Sequence, residues 1–173
     1  TLYWDQNTSM PKRGASWRSE QLTYIAKILH KRNSSLEFSD LIKSAREENL
    51  ACLEESSGQE IIQSKIRNIE LLTKEFNRQN NLDSKLVESL AKAKSKGYES
   101  WQEAKKKSDF KIFLPFFEEL IKLRIEEANQ ISDKFSAWET LAQPFEPDLT
   151  QDWLNNIFMP LKKTLPSLLN DLK

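Results

Sequence analysis

Apolar residues recur every three or four positions between Gln59 and Arg78, and this spacing restricts the fold more than any other feature of the sequence. The residues in register are Ile62, Ile66, Ile69, Leu72 and Phe76. Such a narrow apolar seam is typical of helices that pack side by side as in a coiled coil. Only 3 of the 173 residues are glycine, and apolar and polar positions do not alternate as they would in half-buried strands. We therefore predict an all-α fold.

A second periodic segment runs from Asp83 to Ala104, after a short polar turn. Its residues in register are Leu86, Leu90, Ala93, Gly97 and Trp101. Asp83 is suited to cap this helix because a carboxylate accepts hydrogen bonds from free backbone N–H groups. Two long helices joined by a short turn predict an antiparallel helical hairpin, and the small residues Ala93 and Gly97 would let its helices approach closely.

Further helices are predicted on both sides of this hairpin. Ser39 is placed to cap one of them, and Thr150 is placed to cap the last. Pro160 and Pro166 should kink or split that last helix, because proline lacks the backbone N–H that a helix interior uses. We predict a single all-α domain over residues 1–173, with about five to seven helices including the long hairpin.

The charge balance and hydropathy exclude several classes of function. The 26 basic and 26 acidic side chains cancel, so the chain lacks the basic excess that a nucleic-acid-binding protein uses against phosphates. No apolar run approaches the roughly 20 residues that span a bilayer. No N-terminal leader pattern is present. We therefore expect a cytoplasmic protein with neither a nucleic-acid nor a membrane partner.

Residues able to bind a metal or act as a nucleophile are scarce. The chain has one histidine, His30, and one cysteine, Cys52. A catalytic zinc site needs three protein ligands, and His30 has no second ligand at helical spacing. We interpret it as a polar residue at a helix end. Cys52 follows apolar neighbours on a predicted helix, so we interpret it as a packing residue.

The N-terminal segment resembles a known family signature. Residues 4–11 read WDQNTSMP, and residues 18–22 read RSEQL after a turn that contains Gly14. This pattern resembles a signature near the N-terminus of the carboxypeptidase Taq family of metallocarboxypeptidases. Later blocks follow in the family's order, including Leu86-Val87 and the segment 145–150. The resemblance covers nearly the whole chain and implies the N-terminal third of such an enzyme.

The chain departs from the family pattern near its C-terminal end. Trp138 stands where the family usually has Tyr, Glu139 where it has Asp, and Asp148 where it has Gly. The last change matters if the turn needs a positive φ, although Asp tolerates that conformation better than most residues. Trp138 and Trp101 lie on apolar helix stripes, so we predict that both are core residues.

The resemblance implies a peptidase that uses zinc, or another divalent metal, in the full-length enzyme. Family members hold the metal with an HExxH helix, whose two histidines share one face and whose glutamate activates the bound water. A chain with one histidine lacks that motif. We therefore predict no catalytic residue, no metal ligand and no cofactor in this fragment, and no peptidase activity of its own.

The resemblance also implies partners and contact residues. The partners would be the catalytic C-terminal half of the same enzyme and a peptide substrate. A homodimer is implied as well, because family members are often dimers, although no residue pattern here indicates one. The candidates for contact with the substrate groove or with the catalytic half are Trp4, Asp5, Gln6, Met10, Trp17 and Arg18.

Other interpretations of these residues stay open. Trp4 could instead be a core anchor, and Asp5 and Gln6 could make capping or interdomain hydrogen bonds. The main alternative for the whole chain is a stand-alone helical interaction module, or a truncated relic without peptidase activity. A domain cut from its partner should expose an apolar patch.

Overall fold

The computed structural model describes residues 2–55 and 59–171. These residues form α-helices joined by short turns, with two 3₁₀ helices and no strand, so the all-α prediction is confirmed. The eight α-helices in the described ranges are α1 (Leu2–Thr8), α2 (Ala15–Asn33), α3 (Leu36–Glu55), α4 (Gln59–Asn80), α5 (Ser84–Lys107), α6 (Leu114–Ile131), α7 (Ala137–Ala142) and α8 (Gln151–Asp171). The count exceeds our expectation because α1 and α7 are too short to show an apolar period.

The helices form two compact units. Unit 1 contains the described residues up to Ile131, and unit 2 begins at Ser132. The organisation of the whole chain as one domain stays a prediction. No helix in the described ranges is both long enough and apolar enough to cross a membrane.

Helix α5 is the centre of unit 1, because it packs against both α2 and α6. Its buried residues Leu86 and Leu90 join Leu82 from the preceding turn in one apolar cluster. Burying each such leucine stabilises the fold by about 1.5–3 kcal/mol. The ion pair between Lys27 and Glu88 adds a surface contact of 2.9 Å between α2 and α5.

The apolar seam of α4 faces α3. Ile62 and Ile69 are buried, and the rings of Phe76 and Phe38 lie 6.1 Å apart across the two helices. The predicted hairpin of α4 and α5 is not confirmed, because α4 packs mainly against α3 while α5 packs against α2 and α6. Leu72 is 49% exposed, so the seam identifies the covered face of α4 except at that position. The helix that packs against this face is α3 rather than α5.

The helix caps were predicted with mixed success. The Asp83 carboxylate accepts a hydrogen bond of 3.1 Å from the Lys85 N–H, which confirms the predicted cap of α5. The Ser39 prediction was wrong. Helix α3 begins at Leu36, and the Ser35 hydroxyl accepts a hydrogen bond of 3.1 Å from the Phe38 N–H. Serine is a good cap at either position, so residue type alone did not decide between them.

Two residues of α5 differ from expectation. Trp101 is 42% exposed rather than part of the core. Its ring lies 5.9 Å from that of Tyr98, and the Lys105 ammonium lies 5.2 Å from its centroid. Gly97 is buried, but a Cβ added there would lie 3.8 Å from Phe113 Cε2, an ordinary contact distance. Packing against Phe113 therefore does not require a glycine.

Unit 2 is organised around the Glu139 side chain. Ser136 and Glu139 form a reciprocal capping box at the start of α7. The other carboxylate oxygen of Glu139 accepts a hydrogen bond of 2.9 Å from the Gln151 N–H, at the start of α8. Asp148 has a φ of 65°, and its N–H donates to Gln143 Oε1 at 2.9 Å. The turn at Asp148 thus has a positive φ, a conformation that glycine adopts readily.

Helix α8 begins as predicted but does not split. The Thr150 hydroxyl accepts a hydrogen bond of 3.2 Å from the Trp153 N–H, which confirms the predicted cap. The helix continues through Pro160 and Pro166, so it does not split at either proline, and the alternative of a kink stays a prediction. No described side chain of α8 is buried. Trp138 on α7 is 49% exposed, which corrects its assignment to the core.

Candidate functional site

A buried arginine attaches the N-terminal helix α1 to the rest of unit 1. Arg18 lies in the first turns of α2 and is only 8% exposed. Its guanidinium group donates to the Asp5 carboxylate and to the Leu2 carbonyl, and its Nε donates to Gln21 Oε1 at 3.0 Å. Because a guanidinium is planar and rigid, this set of partners fixes both the position and the orientation of α1.

A second contact attaches the other end of α1. The Tyr98 hydroxyl on α5 donates to the Asn7 side-chain oxygen. The Gln102 amide in turn donates to the Tyr98 oxygen at 3.0 Å. Helix α1 has no buried residue. Its attachment in unit 1 therefore depends on polar bonds more than on apolar burial.

A cavity of about 450 Å³ lies beside α1. Tyr3, Gln6 and Asn7 of α1 line it, together with residues of α2 and α5. The volume is within the range of small-molecule sites in proteins. Its apolar walls are formed by Leu22, Ala26, Leu82, Val87, Leu90 and Ala91.

One cationic and one acidic side chain line the cavity, Lys94 and Glu127. Glu127 lines it and is buried, and its carboxylate pairs with Arg78 at 3.5 Å and also with Arg124. Lys94 lines it as well. The pKa of Lys94 is lowered, mainly by burial of the amine and to a smaller extent by repulsion from Arg124. Attraction to Glu127 opposes this shift. Glu127 thus pairs with two arginines and also attracts the Lys94 amine.

The structure separates the predicted contact residues into two groups. Asp5 and Arg18 pair with each other, and Gln6 lines the cavity. Met10 lies against Gly14, where an added Cβ would be 3.3 Å from Met10 Cγ. The remaining two residues, Trp4 and Trp17, are 69% and 65% exposed. Trp4 is therefore no core anchor in this structure.

With the geometry of the site described, comparison with known proteins identifies the family. The model of the Carboxypeptidase Taq (M32) metallopeptidase family matches residues 1–173, the whole chain. The chain belongs to the carboxypeptidase Taq family. This confirms the resemblance that the N-terminal signature and the later blocks indicated.

The relatives of this carboxypeptidase Taq chain are much longer than the chain itself. Thermostable carboxypeptidase 1 of Thermus thermophilus is 25% identical over 180 residues, which cover 96% of this chain and 33% of that protein. Carboxypeptidase 1 of Bacillus subtilis is 25% identical over 171 residues, which cover 99% and 32%. The chain therefore spans about a third of the length of the curated relatives it matches.

Solved structures of similar proteins agree in fold. The BsuCP crystal structure matches with a TM-score of 0.84 and 25% identity, over 98% of this chain and 32% of that one. Metallocarboxypeptidase 1 of Trypanosoma cruzi matches with a TM-score of 0.71 and 26% identity, over the same shares. The helical arrangement described above is thus similar to one that occurs within larger carboxypeptidases.

The described part of this carboxypeptidase Taq chain does not fit a catalytic metal. Within residues 2–55 and 59–171, no group of three or more His, Cys, Asp and Glu side chains is placed to hold a metal ion. His30 is buried in the last turn of α2, and its Nδ1 bonds to no described residue.

Several residues at the cavity were missed by sequence reasoning. Lys94, Tyr98 and Glu127 line the cavity but were not among the predicted contact residues. No motif connects them with the N-terminal signature, because they are about 90–120 positions away and come near it only through the packing of α2, α5 and α6. The period of α5 was the available signal, since Val87, Ala91, Lys94 and Tyr98 share one helix face.

Proposed function

We propose that this chain is the N-terminal, groove-wall domain of a zinc-type metallocarboxypeptidase that removes C-terminal residues from peptides. In this proposal the domain supplies no catalytic residue, and it acts in the cytoplasm. The observation that carries it is the family match over the whole chain, combined with a span of about a third of the relatives. One histidine cannot supply the HExxH pair, so the metal would be held by residues outside this sequence.

An exposed apolar surface on α2 supports this role. We call it the α2 surface, and it consists of Trp17, Tyr24, Ile25, Ile28 and Leu29, each at least 40% exposed. Side chains two positions apart on a helix point in directions about 200° apart. Tyr24 therefore faces away from the packed residue Leu22, and Ile28 faces away from Ala26. A large apolar patch on a folded unit marks a site of interaction. In our proposal the catalytic part of the enzyme, or a bound peptide, covers it.

The Arg18 contacts would hold α1 in place beside this surface. Arg18 and Trp17 are neighbours in the chain, and Arg18 fixes α1 through Asp5. Trp4 on α1 is exposed in the same way as Trp17. Arg18, Asp5 and Gln6 would thus act as positioning residues, while Trp4 and Trp17 would make the contacts with substrate or with the catalytic part.

Two measurements test this proposal. The reading frame downstream of codon 173 should encode an HExxH segment, and an immediate stop codon would contradict the proposal. The 173-residue chain should bind zinc only weakly and release no amino acid from peptides. A tight one-to-one zinc complex with turnover would show that catalysis resides in this fragment.

The second candidate function is a stand-alone helical interaction module, and the α2 surface is the observation that favours it. That surface would then bind another protein rather than a catalytic half. A stop codon after residue 173, together with loss of a protein partner in the Tyr24→Ser variant, would support this alternative. Glu20→Ser, on the same helix and exposed, is the matched control.

A further inference from the structure

The cavity beside α1 combines apolar walls with one cationic side chain, Lys94, and one carboxylate, Glu127. Its walls come from leucine, valine and alanine side chains of α2 and α5 and the turn before α5. Lys94 is its cation, and the one lining carboxylate, Glu127, is already paired with Arg78 and Arg124. An apolar cavity with a cation at one side suits a ligand with an aliphatic body and one negative group.

A buried hydroxyl in the same cavity has no partner. Ser95 lines the cavity and is 4% exposed. Its Oγ is buried and makes no hydrogen bond with any described residue. A buried polar group without a partner costs stability, and a ligand oxygen could supply the missing acceptor. Ser95 and Lys94 both line the cavity, so one anionic group there could contact both.

We propose that this cavity binds a small monocarboxylate with an aliphatic body. The carboxylate accepts hydrogen bonds from Lys94 and Ser95. The aliphatic body contacts Leu22, Leu90 and Ala91, and α1 covers it on one side through Gln6. The proposal rests on unit 1 alone and does not depend on the proposed peptidase role.

The position of Lys94 favours a carboxylate over a neutral ligand. Lys94 keeps contact with solvent, yet its amine is partly desolvated and lies near Arg124, and both effects lower its pKa. A carboxylate beside the amine would offset both costs, because an opposite charge stabilises the ammonium form. The apolar walls disfavour inorganic phosphate, which has no body to place against them.

Ligand binding to the 173-residue chain tests the proposal, with sodium isocaproate as the probe. Isocaproate should bind saturably at millimolar concentration, measured by titration calorimetry and ligand-observed NMR. Isocaproamide has the same body without the charge and should bind at least about tenfold more weakly. Inorganic phosphate should not compete. Equal binding of acid and amide, competition by phosphate, or no binding of isocaproate would overturn the proposal.

Two variants test whether the ligand binds in the cavity. Lys94→Met should weaken isocaproate binding by about tenfold while leaving the amide unchanged. Lys92→Met is the matched control, since Lys92 lies on α5, is exposed and does not line the cavity. Ala91→Phe should abolish binding by filling the cavity, with helicity measured by circular dichroism. Unchanged binding in Lys94→Met or in a folded Ala91→Phe variant would contradict the assignment.

Discussion

The contacts inside unit 1 and the contacts inside unit 2 are of different kinds. In unit 1, helices distant in sequence bury one another, and the Leu82, Leu86 and Leu90 cluster lies at their centre. In unit 2, the ordering contacts are hydrogen bonds between residues at most 12 positions apart, centred on Glu139. The helix α8 buries no described side chain.

This difference indicates what stabilises each unit. Apolar burial gives unit 1 a source of stability within its own residues. Caps and turns fix local geometry, but each contributes only about 1 kcal/mol. Unit 2 leaves Trp153, Phe158 and Leu169 more than half exposed. Within the described residues of unit 2, local hydrogen bonds therefore contribute more than apolar burial does.

The largest expected effect comes from removing one leucine of the unit 1 cluster. Leu90 is 5% exposed, and Leu90→Ala should lower the free energy of unfolding by about 2–5 kcal/mol, because it removes apolar contacts and leaves a cavity. Urea unfolding followed by circular dichroism measures this loss.

The matched control for Leu90→Ala is the same substitution on α8. Leu169 is 60% exposed, so Leu169→Ala should change the free energy of unfolding by less than about 0.5 kcal/mol. Similar losses in the two variants would contradict the difference between the units.

An intermediate effect is expected at the polar attachment of α1. Arg18→Met leaves the Asp5 carboxylate and the Leu2 carbonyl without their donor, which should cost about 1–3 kcal/mol. Hydrogen exchange should become faster in α1 but hardly change in α5. Arg13→Met, at an exposed arginine before α2, is the control and should leave α1 protected. Uniform acceleration across unit 1 would show that Arg18 supports the core instead.

The smallest expected effect lies in unit 2 and depends on pH. Hydrogen bonds from the Gln151 N–H, the Ser136 hydroxyl and the Ser136 N–H lower the pKa of Glu139. The stability from this lowered pKa is present above the unfolded value of about 4.3 and is lost as pH falls through the folded pKa. Glu139→Gln should therefore speed hydrogen exchange in α7 and at the start of α8 at neutral pH, but match the parent in acid.

Glu146 provides the control for the Glu139 experiment. It is an exposed carboxylate of the same unit, so Glu146→Gln should leave exchange in α7 unchanged at every pH. If exchange in α7 were still faster in Glu139→Gln than in the parent chain in acid, the Glu139 side chain would act through its shape rather than its charge.

Two of the three predicted helix caps were correct and the Ser39 cap was wrong, whereas the contacts between helices distant in sequence were not predictable. Asp83 and Thr150 were identified as caps because a cap bonds within its own turn. Ile62 and Ile69 were placed on a buried face, but helical period does not specify which helix covers that face. At the site, the sequence signature included Asp5 and Arg18 but not their pairing. Lys94 was missed because only the folded chain brings α5 beside α1.

Gly97 has a practical consequence for protein engineering. Its α-carbon faces Phe113 at a distance that leaves room for a methyl group, while glycine within a helix costs about 1 kcal/mol relative to alanine. Replacing Gly97 with alanine should therefore raise the thermal stability of the chain without disturbing the neighbouring side chains. Alanine at this position would give a more heat-tolerant starting protein, in which destabilising changes at the cavity could be made without loss of the fold.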